Sequence, residues 1–264
     1  AGHLTGWSDG SARLFFAFHH LIIDAVSWRI IADDMRLLLT GHTLPAKTSS
    51  YRQWVAAMQA YAGTHQDEVT YWQQVIEDKA DHYAQGEANH HHVRLSVEQT
   101  QTLLYEANAG YHTEINDLLL SALTIALQNT FNQSTNHITL EGHGREAIDE
   151  TLDLSQTVGW FTTIYPVRLE SQSTVSDTIV YTKEMLRKVP NKGVGYGALR
   201  QAGDVSGCSP VISFNYLGQL GAEMTPQDWM FTADDCGLMM ASENADPLLL
   251  NINGGVQAGQ LGFS

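Results

Sequence analysis

The strongest constraint on the fold is an alternation of short apolar segments with helical segments from residue 93 to the end of the chain. Short runs rich in β-branched and aromatic residues predict strands, here at residues 93–95, 137–140, 161–169, 211–217, 248–252 and 260–263. Helical periodicity separates several of them, at residues 96–110, 113–131 and 174–189. The order lacks a strict βαβ repeat, so it predicts a layered α/β architecture with a mixed sheet.

The first third of the chain has a different pattern. Residues 13–18 are apolar and aromatic and predict a buried strand. A helix follows, for which Ser27 is the expected N-cap and Gly41 the expected stop, with Trp28 expected in the core. Residues 50–76 predict a polar helical region that carries several tryptophans and tyrosines.

Composition excludes several functional classes. Of 264 residues, 43% are hydrophobic and 16% charged, which is typical of a globular protein. The formal net charge of −15 disfavours nucleic-acid binding, because an acidic surface repels phosphates.

Two cysteines, Cys208 and Cys236, lack metal-site spacing and fit a reducing compartment. No apolar run reaches bilayer length and no signal peptide is visible, so we expect a cytoplasmic protein that does not enter a membrane.

Basic residues are concentrated in one stretch of this acidic chain. Five of the fourteen lie within residues 183–200, namely Lys183, Arg187, Lys188, Lys192 and Arg200. One interpretation is a solvated helix face. The other is a docking patch for an acidic partner, since local positive charge would offset the repulsion from the rest of the surface.

Two adjacent histidines, His19 and His20, follow the apolar segment at residues 13–18. Neighbouring side chains on an extended segment point to opposite faces, so at most one of them is expected to reach a given site. Histidine titrates near neutral pH and can both accept and return a proton. A lone histidine pair is usually a packing feature, and its function therefore depends on companion motifs.

A second candidate group is the glutamate of the sequence LEGHGRE at residues 140–146. Glu141 follows a predicted strand and precedes two glycines that let the backbone bend sharply. A carboxylate in a dry environment has a raised pKa, which suits it for proton transfer. From the residues alone, a solvated loop acid is the alternative, and Glu146 is a rival within the same motif; His143 is expected to be structural.

Other stretches are less specific. The glycine-rich sequence at residues 190–197 predicts a flexible loop, and a phosphate site there is weakly supported because no strand precedes it. Three histidines at residues 90–92 lack the further spaced ligands of a metal site, so we expect a solvated loop and no metal.

Five stretches in this order resemble the epimerization domains of nonribosomal peptide synthetases, which belong to the condensation-domain superfamily. They are HHLIIDAVSW (19–28), LEGHGRE (140–146), TVGWFTTIYP (157–166), PNKGVGYG (190–197) and FNYLG (214–218). The first motif occurs across the superfamily, whereas the second and last are typical of the epimerizing branch. The resemblance spans nearly the whole chain.

The resemblance implies a two-lobed fold similar to that of chloramphenicol acetyltransferase. A mixed sheet with flanking helices is expected, with the first lobe largely absent from this chain. Residues 1–75 would then form the end of the N-terminal lobe and the inter-lobe helices, and residues 76–264 the C-terminal lobe.

The implied reaction is inversion of the α-carbon of an aminoacyl or peptidyl thioester, from L to D. The substrate would be tethered to the phosphopantetheine arm of a peptidyl carrier domain, the expected partner beside neighbouring synthetase domains. No directly bound cofactor is implied. Two alternatives remain: a condensation domain that forms a peptide bond, and an inactive carrier-docking module.

The resemblance also assigns residues to roles. Its catalytic candidates are His20, Glu141, Asn215 and Tyr216, the last two able to hydrogen-bond an enolate or orient a thioester; a tyrosine that merely satisfies its own hydroxyl is the alternative for Tyr216. Its candidates for binding substrate or pantetheine are Trp160, Gly195 and Tyr196. Its structural candidates are His19, Asp24 and Arg145. His19 is expected to be a buried imidazole that hydrogen-bonds to the backbone. Asp24 is expected to form an ion pair, for which Arg145 is one possible partner.

Overall fold

The computed structural model describes residues 2–77, 83, 89–219, 234–238, 241, 243–244 and 248–264. Within that part of the chain, no helix combines the length and the apolar character needed to cross a bilayer. No group of three or more His, Cys, Asp or Glu side chains in the same residues is arranged to hold a metal ion.

The described residues form eight strands and eight α-helices. The strands are β1 (Gly2–Leu4), β2 (Arg13–Phe15), β3 (Val93–Arg94), β4 (Thr135–Gly142), β5 (Thr163–Glu170), β6 (Ile212–Gln219), β7 (Leu250–Gln257) and β8 (Gln260–Phe263). The helices are α1 (Ala25–Leu39), α2 (Tyr51–Thr64), α3 (Val69–Glu77), α4 (Val97–Gln101), α5 (Asn108–Tyr111), α6 (Ile115–Phe131), α7 (Val175–Arg187) and α8 (Val194–Ala202).

Six of these strands form one mixed sheet in the order β3-β8-β7-β6-β4-β5. β4 pairs antiparallel with β5 and parallel with β6, and β6 pairs parallel with β7. β1 and β2 form a separate antiparallel pair. The predicted layered α/β fold with a mixed sheet is therefore confirmed.

The core lies between the sheet and its helices. Fully buried side chains include Trp72 on α3, Leu120 on α6, Ile138 on β4 and Leu199 on α8. They belong to one continuous apolar cluster, and burial of this kind is the main favourable contribution to folding. A second cluster packs Trp54 of α2 against the loop that precedes β5.

Local capping explains several helix starts. A capping box of Ser96 and Gln99 opens α4: the Ser96 side chain accepts from the Gln99 backbone N–H, and the Gln99 side chain accepts from the Ser96 backbone N–H. The helix continues through a π-helical turn, Thr102–Ala107, into α5. The predicted strand at residues 13–18 is shorter and more exposed than expected, with Phe15 41% exposed.

Candidate functional site

His20 lies at the start of a short 3₁₀ helix, His20–Ile22, just before α1. The sequence predicted that both histidines lie on an extended segment. His20 instead begins the 3₁₀ helix, and His19 precedes it. The His20 ring is exposed and meets Trp160 edge to face, with 6.2 Å between ring centroids. This contact brings the segment before α1 next to the loop that precedes β5.

His19 caps the 3₁₀ helix, since its Nδ1 accepts a hydrogen bond of 3.1 Å from the Leu21 backbone N–H. The predicted hydrogen bond to backbone is present. The predicted burial is wrong, because the His19 side chain is exposed.

A buried ion pair joins the first motif to the second. Arg145 Nη1 lies 2.6 Å from Asp24 Oδ2, and their side chains are only 8% and 3% exposed. Asp24 also accepts hydrogen bonds from the backbone N–H groups of Ser27 and Phe161. Burial by itself would raise the pKa of Asp24, but these hydrogen bonds outweigh it and hold the pKa below the ordinary value of 3.8. The predicted structural pairing of Asp24 with Arg145 is present.

Arg145 Nη2 and Ser27 extend this cluster. Arg145 Nη2 donates to Ser27 Oγ and to the Thr157 carbonyl, each at 3.0 Å, and its guanidinium stacks over the Phe161 ring at 4.1 Å. Ser27 Oγ donates to the Gly159 carbonyl and accepts from the Gly159 N–H. The cluster thus ties together α1, the loop after β4 and the loop before β5.

Two details of the predicted helix start were wrong. Asp24, not Ser27, is the N-cap of α1, because its side chain accepts from the Ser27 N–H. Ser27 instead bonds to Arg145 and to the Gly159 backbone, a role that the sequence pattern did not predict. Trp28 is half-buried against Phe18, with 5.4 Å between ring centroids, so it lies at the margin of the core.

Glu141 lies near the end of β4 and is held by Asn215 of the neighbouring parallel strand. Asn215 Nδ2 donates a hydrogen bond of 2.8 Å to Glu141 Oε2. Burial raises the pKa of Glu141 above its ordinary value of 4.5, and the nearby charge of His20 lowers it in part. The Asp24–Arg145 pair lies four residues after His20 and four residues after Glu141, so it places the two segments that carry the candidate proton-transfer groups side by side.

The sharp turn after Glu141 depends on glycine. Gly144 has a φ of +67°, and a Cβ atom there would lie 1.7 Å from the Phe161 carbonyl oxygen. Glu146, the rival carboxylate, points to other partners: it contacts His143 at 3.2 Å and Lys192 at 3.4 Å. The carboxylates of Glu141 and Glu146 therefore have different neighbours and do not share one site.

Tyr216 faces away from Glu141. It follows Asn215 in β6, where successive side chains alternate between the two faces of the sheet. Tyr216 packs against the main apolar cluster, and its pKa is raised by burial and by neighbouring Tyr105. The strand extends two residues beyond its predicted end at residue 217, because β6 continues to Gln219. Direct contact of Tyr216 with a group at Glu141 is not supported by this geometry.

Trp160 offers a hydrogen-bond donor beside His20. Its indole Nε1 is buried and has no hydrogen-bond partner among the residues that the structure describes. Buried donors are normally satisfied, so an unsatisfied one next to a candidate catalytic residue suits an acceptor from a ligand. A thioester carbonyl is such an acceptor, and the predicted binding role of Trp160 fits this geometry.

The glycine-rich segment is not a loop, contrary to the prediction. Residues 194–202 form α8, preceded by a short 3₁₀ turn, Pro190–Gly193. Gly195 packs so closely that a Cβ atom would lie 2.3 Å from the Tyr61 ring and 2.7 Å from Glu68 Oε2. Tyr196 is 4% exposed and packs on Trp72. These placements give Gly195 and Tyr196 a packing role in the core rather than one beside His20.

Most cations of the basic stretch already have intramolecular partners. Arg187 pairs with Glu184 at 3.0 Å, Lys183 donates to the Tyr111 carbonyl, and Lys192 contacts Glu146. Arg200 donates to the Gly207 carbonyl and to Ser209 Oγ. A docking role for this stretch stays a prediction, with less free positive charge than the sequence suggests.

These contacts assemble a half-buried carboxylate, an imidazole, an unsatisfied indole N–H and an amide that orients the carboxylate. Comparison with known proteins identifies the family. The family model described as "Condensation domain" matches residues 2–264. The chain belongs to the condensation-domain family.

Relatives of this condensation domain lie within long synthetases. It is 43% identical over 227 residues to N-(5-amino-5-carboxypentanoyl)-L-cysteinyl-D-valine synthase of Amycolatopsis lactamdurans, covering 84% of this chain and 6% of that protein. It is 36% identical over 288 residues to tyrocidine synthase 1 of Brevibacillus parabrevis, covering 94% of this chain and 26% of that protein. The chain therefore spans a small part of the curated relatives.

Solved structures agree with the fold of this condensation domain. The epimerization domain from the third module of tyrocidine synthetase B superposes with a TM-score of 0.82 at 35% identity, covering 93% of this chain and 61% of that one. The first condensation domain of the calcium-dependent antibiotic synthetase gives a TM-score of 0.64 at 19% identity, covering 93% and 57%. The predicted condensation-superfamily fold is confirmed, while the predicted boundary between residues 75 and 76 stays a prediction.

Proposed function

We propose that this chain inverts the α-carbon of an aminoacyl or peptidyl group held as a thioester on the phosphopantetheine arm of a carrier domain. The observation that carries the proposal is the Asp24–Arg145 pair, which joins the segment of His20 to the segment of Glu141, with Asn215 orienting the Glu141 carboxylate. His20 and Glu141 are both able to exchange protons. Inversion needs a proton to leave from one face of the carbon and another to arrive from the opposite face. Two separate acid–base groups meet that need.

The reaction can be written with these residues. One group, as a base, removes the α-proton, and the electron pair of the C–H bond moves into the thioester carbonyl to give an enolate. The other group, in its protonated form, then donates a proton to the opposite face as the carbonyl re-forms. A glutamate with a raised pKa is suited to such a transfer, because general acid–base catalysis is most efficient when the pKa lies near the working pH.

Two residues would assist without exchanging the α-proton. The unsatisfied Trp160 Nε1 would donate to the thioester oxygen, where negative charge develops in the enolate. Asn215 would hold the Glu141 carboxylate in one orientation through its 2.8 Å hydrogen bond. The phosphopantetheine arm supplies the thioester, whose carbonyl acidifies the α-proton.

The comparisons support inversion as the reaction. The structural neighbour at 35% identity is titled an epimerization domain, and the 43% identical relative is named for a product that contains D-valine. The second candidate is a condensation domain that joins two carrier-bound groups. It is favoured by the family model, which matches residues 2–264. Condensation, however, has no evident need for Glu141.

Incubation of the full-length protein with an L-aminoacyl or L-peptidyl carrier thioester in heavy water tests the proposal. We expect deuterium at the α-carbon together with D-configured product. Formation of a new amide when a second carrier-bound amine is supplied, without α-deuteration, would identify a condensation domain. Absence of both products would indicate a non-catalytic carrier-docking module.

A further inference from the structure

The short segment Pro190–Gly193, called here the 190–193 turn, lies against the residues that follow Glu141. A Cβ atom on Gly142 would lie 3.8 Å from the carbonyl oxygen of Lys192. The Lys192 side chain also reaches Glu146, with 3.4 Å between Nζ and Oε2. The 190–193 turn therefore contacts the start of the bend after Glu141 through its backbone and the end of that bend through a side chain.

The same turn also reaches the residue before Glu141. Gly193 packs so closely on Tyr165 of β5 that a Cβ atom would lie 2.1 Å from the tyrosine ring. Tyr165 is the register partner of Leu140 in β4, directly before Glu141. The 190–193 turn thus supports the backbone on both sides of Glu141, after it by direct contact and before it through Tyr165.

The backbone of the 190–193 turn has a conformation that residues with a side chain rarely adopt. Asn191 has φ +41° and ψ +38°, and Lys192 has φ +50° and ψ +35°. Gly193 follows with φ +83°. The left-handed region is sterically unfavourable for residues that have a Cβ atom. A segment of this kind persists only where surrounding contacts hold it.

The contact that holds this turn is the side chain of Asn191, which bonds to a buried polar cluster. Asn191 Nδ2 donates to Glu68 Oε1 at 2.8 Å and to Tyr61 Oη at 2.6 Å. Tyr61 donates to Glu68 Oε1 at 2.6 Å, and Trp72 Nε1 donates to Glu68 Oε2 at 3.2 Å. Tyr61, Glu68 and Trp72 are each at most 5% exposed. Asn191 therefore joins an exposed turn to the protein interior.

Glu68 is the centre of this cluster and is satisfied by neutral donors. Among the residues that the structure describes, no Lys, Arg or His side chain forms an ion pair with it. A buried carboxyl group without hydrogen bonds is costly, so each donor to Glu68 is held firmly in place. Burial and the hydrogen bond to Glu68 raise the pKa of Tyr61, so its hydroxyl keeps its proton at neutral pH.

We propose that Asn191 is a positioning residue for proton transfer at Glu141. Bound by Glu68 and Tyr61, it fixes the left-handed 190–193 turn, and this turn keeps the backbone on either side of Glu141 in place. The proposal rests on the proposed function, because it takes Glu141 to exchange the α-proton. Asn191 acts through the backbone rather than on the substrate, so its loss should affect kcat more than KM.

Asn191→Ala tests this in the full-length protein, with α-proton exchange from the carrier-bound thioester in heavy water. We expect kcat to fall about ten-fold or more with KM within about two-fold, since a small displacement of a catalytic group can cost about a hundred-fold in rate. Asn191→Gly should lose as much, because glycine adopts the left-handed conformation freely but cannot bond to Glu68. Wild-type kcat in either variant would overturn the proposal.

Asn132→Ala is the matched control. Asn132 has the same left-handed conformation, with φ +53° and ψ +36°, and it lies between α6 and the start of β4. Glu141 lies near the opposite end of that strand. Both alanine variants should lower the unfolding midpoint, because alanine is strained at either position, but Asn132→Ala should keep kcat within about two-fold. An equal loss of kcat in both variants would indicate general destabilisation and overturn the proposal.

Amide hydrogen exchange provides a measurement that does not depend on activity. The N–H groups of residues 142–146 should exchange about ten-fold faster or more in Asn191→Ala, and at the wild-type rate in Asn132→Ala. An unchanged rate in Asn191→Ala would overturn the proposal. If wild-type protein exchanges α-protons and Asn191→Ala matches it in kcat, this proposal fails and the proposed function stands. If wild-type protein exchanges no α-protons but the amide rates rise as expected, the proposed function fails and the coupling of Asn191 to residues 142–146 holds.

Discussion

Asp24 and Arg145 form a buried ion pair with 2.6 Å between Oδ2 and Nη1, and this pair connects the segment that carries His20 to the turn that follows Glu141. Asp24 lies four residues after His20, and Arg145 four residues after Glu141. The two candidate proton-transfer groups are thus positioned by one shared contact. Loss of that contact would disturb both groups together.

Arg145→Ala should destabilise the protein strongly. Removal of one partner leaves Asp24 charged and buried, which typically costs about 3–5 kcal/mol. Arg187→Ala is the matched control, because its ion pair with Glu184 is exposed, with both side chains more than half accessible, and such pairs contribute about 0–1 kcal/mol. Urea unfolding of both variants measures the difference. Equal decreases of the unfolding free energy in Arg145→Ala and Arg187→Ala would show that the Asp24–Arg145 pair has no special structural role.

Asp24 should also make the free energy of unfolding depend on pH in the acidic range. Its pKa is lowered in the folded protein, so its contribution is present above the unfolded value of about 3.8 and is lost as pH falls through the lower folded value. Asp24→Asn should be less stable than wild type at pH 7, and the gap should narrow below about pH 4. Unfolding midpoints measured from pH 7 down to pH 2 check this. A gap that stays constant with pH would contradict the assignment.

Asn215→Ala should shift the pH dependence of α-proton exchange. The amide donates to the Glu141 carboxylate and stabilises its ionised form, so its loss should raise the pKa of Glu141 further. The acidic limb of kcat/KM should move to higher pH by about one to two units, since hydrogen bonds to charged groups contribute about 1.5–3 kcal/mol and one pKa unit corresponds to about 1.4 kcal/mol. Tyr216→Phe should leave that limb in place, because Tyr216 lies on the other face of the sheet. A shift in Tyr216→Phe without one in Asn215→Ala would reverse the two roles.

The sequence predicted those features that depend on local pattern. The helix predicted at residues 113–131 is present as α6, Ile115–Phe131, and the last strand has the predicted bounds, Gln260–Phe263. Alternation of apolar and polar residues and capping residues determine such elements directly. The pairing of Asp24 with Arg145 followed from the family resemblance rather than from pattern.

Features that depend on tertiary contacts were predicted less well. Gly193 and Gly195 suggested a loop, yet α8 forms because Gly195 lets the helix approach Tyr61 and Glu68. Ser27 satisfies the usual preference for an N-cap, but Asp24 takes that position while Ser27 binds the Gly159 backbone. Asn215 and Tyr216 lie on opposite faces of β6, and the pairing of β6 with β4 decides that Asn215 is the one beside Glu141. In each case a long-range partner, invisible in the local sequence, decided the outcome.

The central claim is that Glu141 and His20 act on opposite faces of the α-carbon, and α-proton wash-out from separate L and D substrates in heavy water tests it most directly. In Glu141→Gln, exchange from one enantiomer should survive better than from the other, and His20→Ala should give a different imbalance. Wild-type protein should exchange both enantiomers. Equal loss from both enantiomers in both variants would contradict a two-group mechanism.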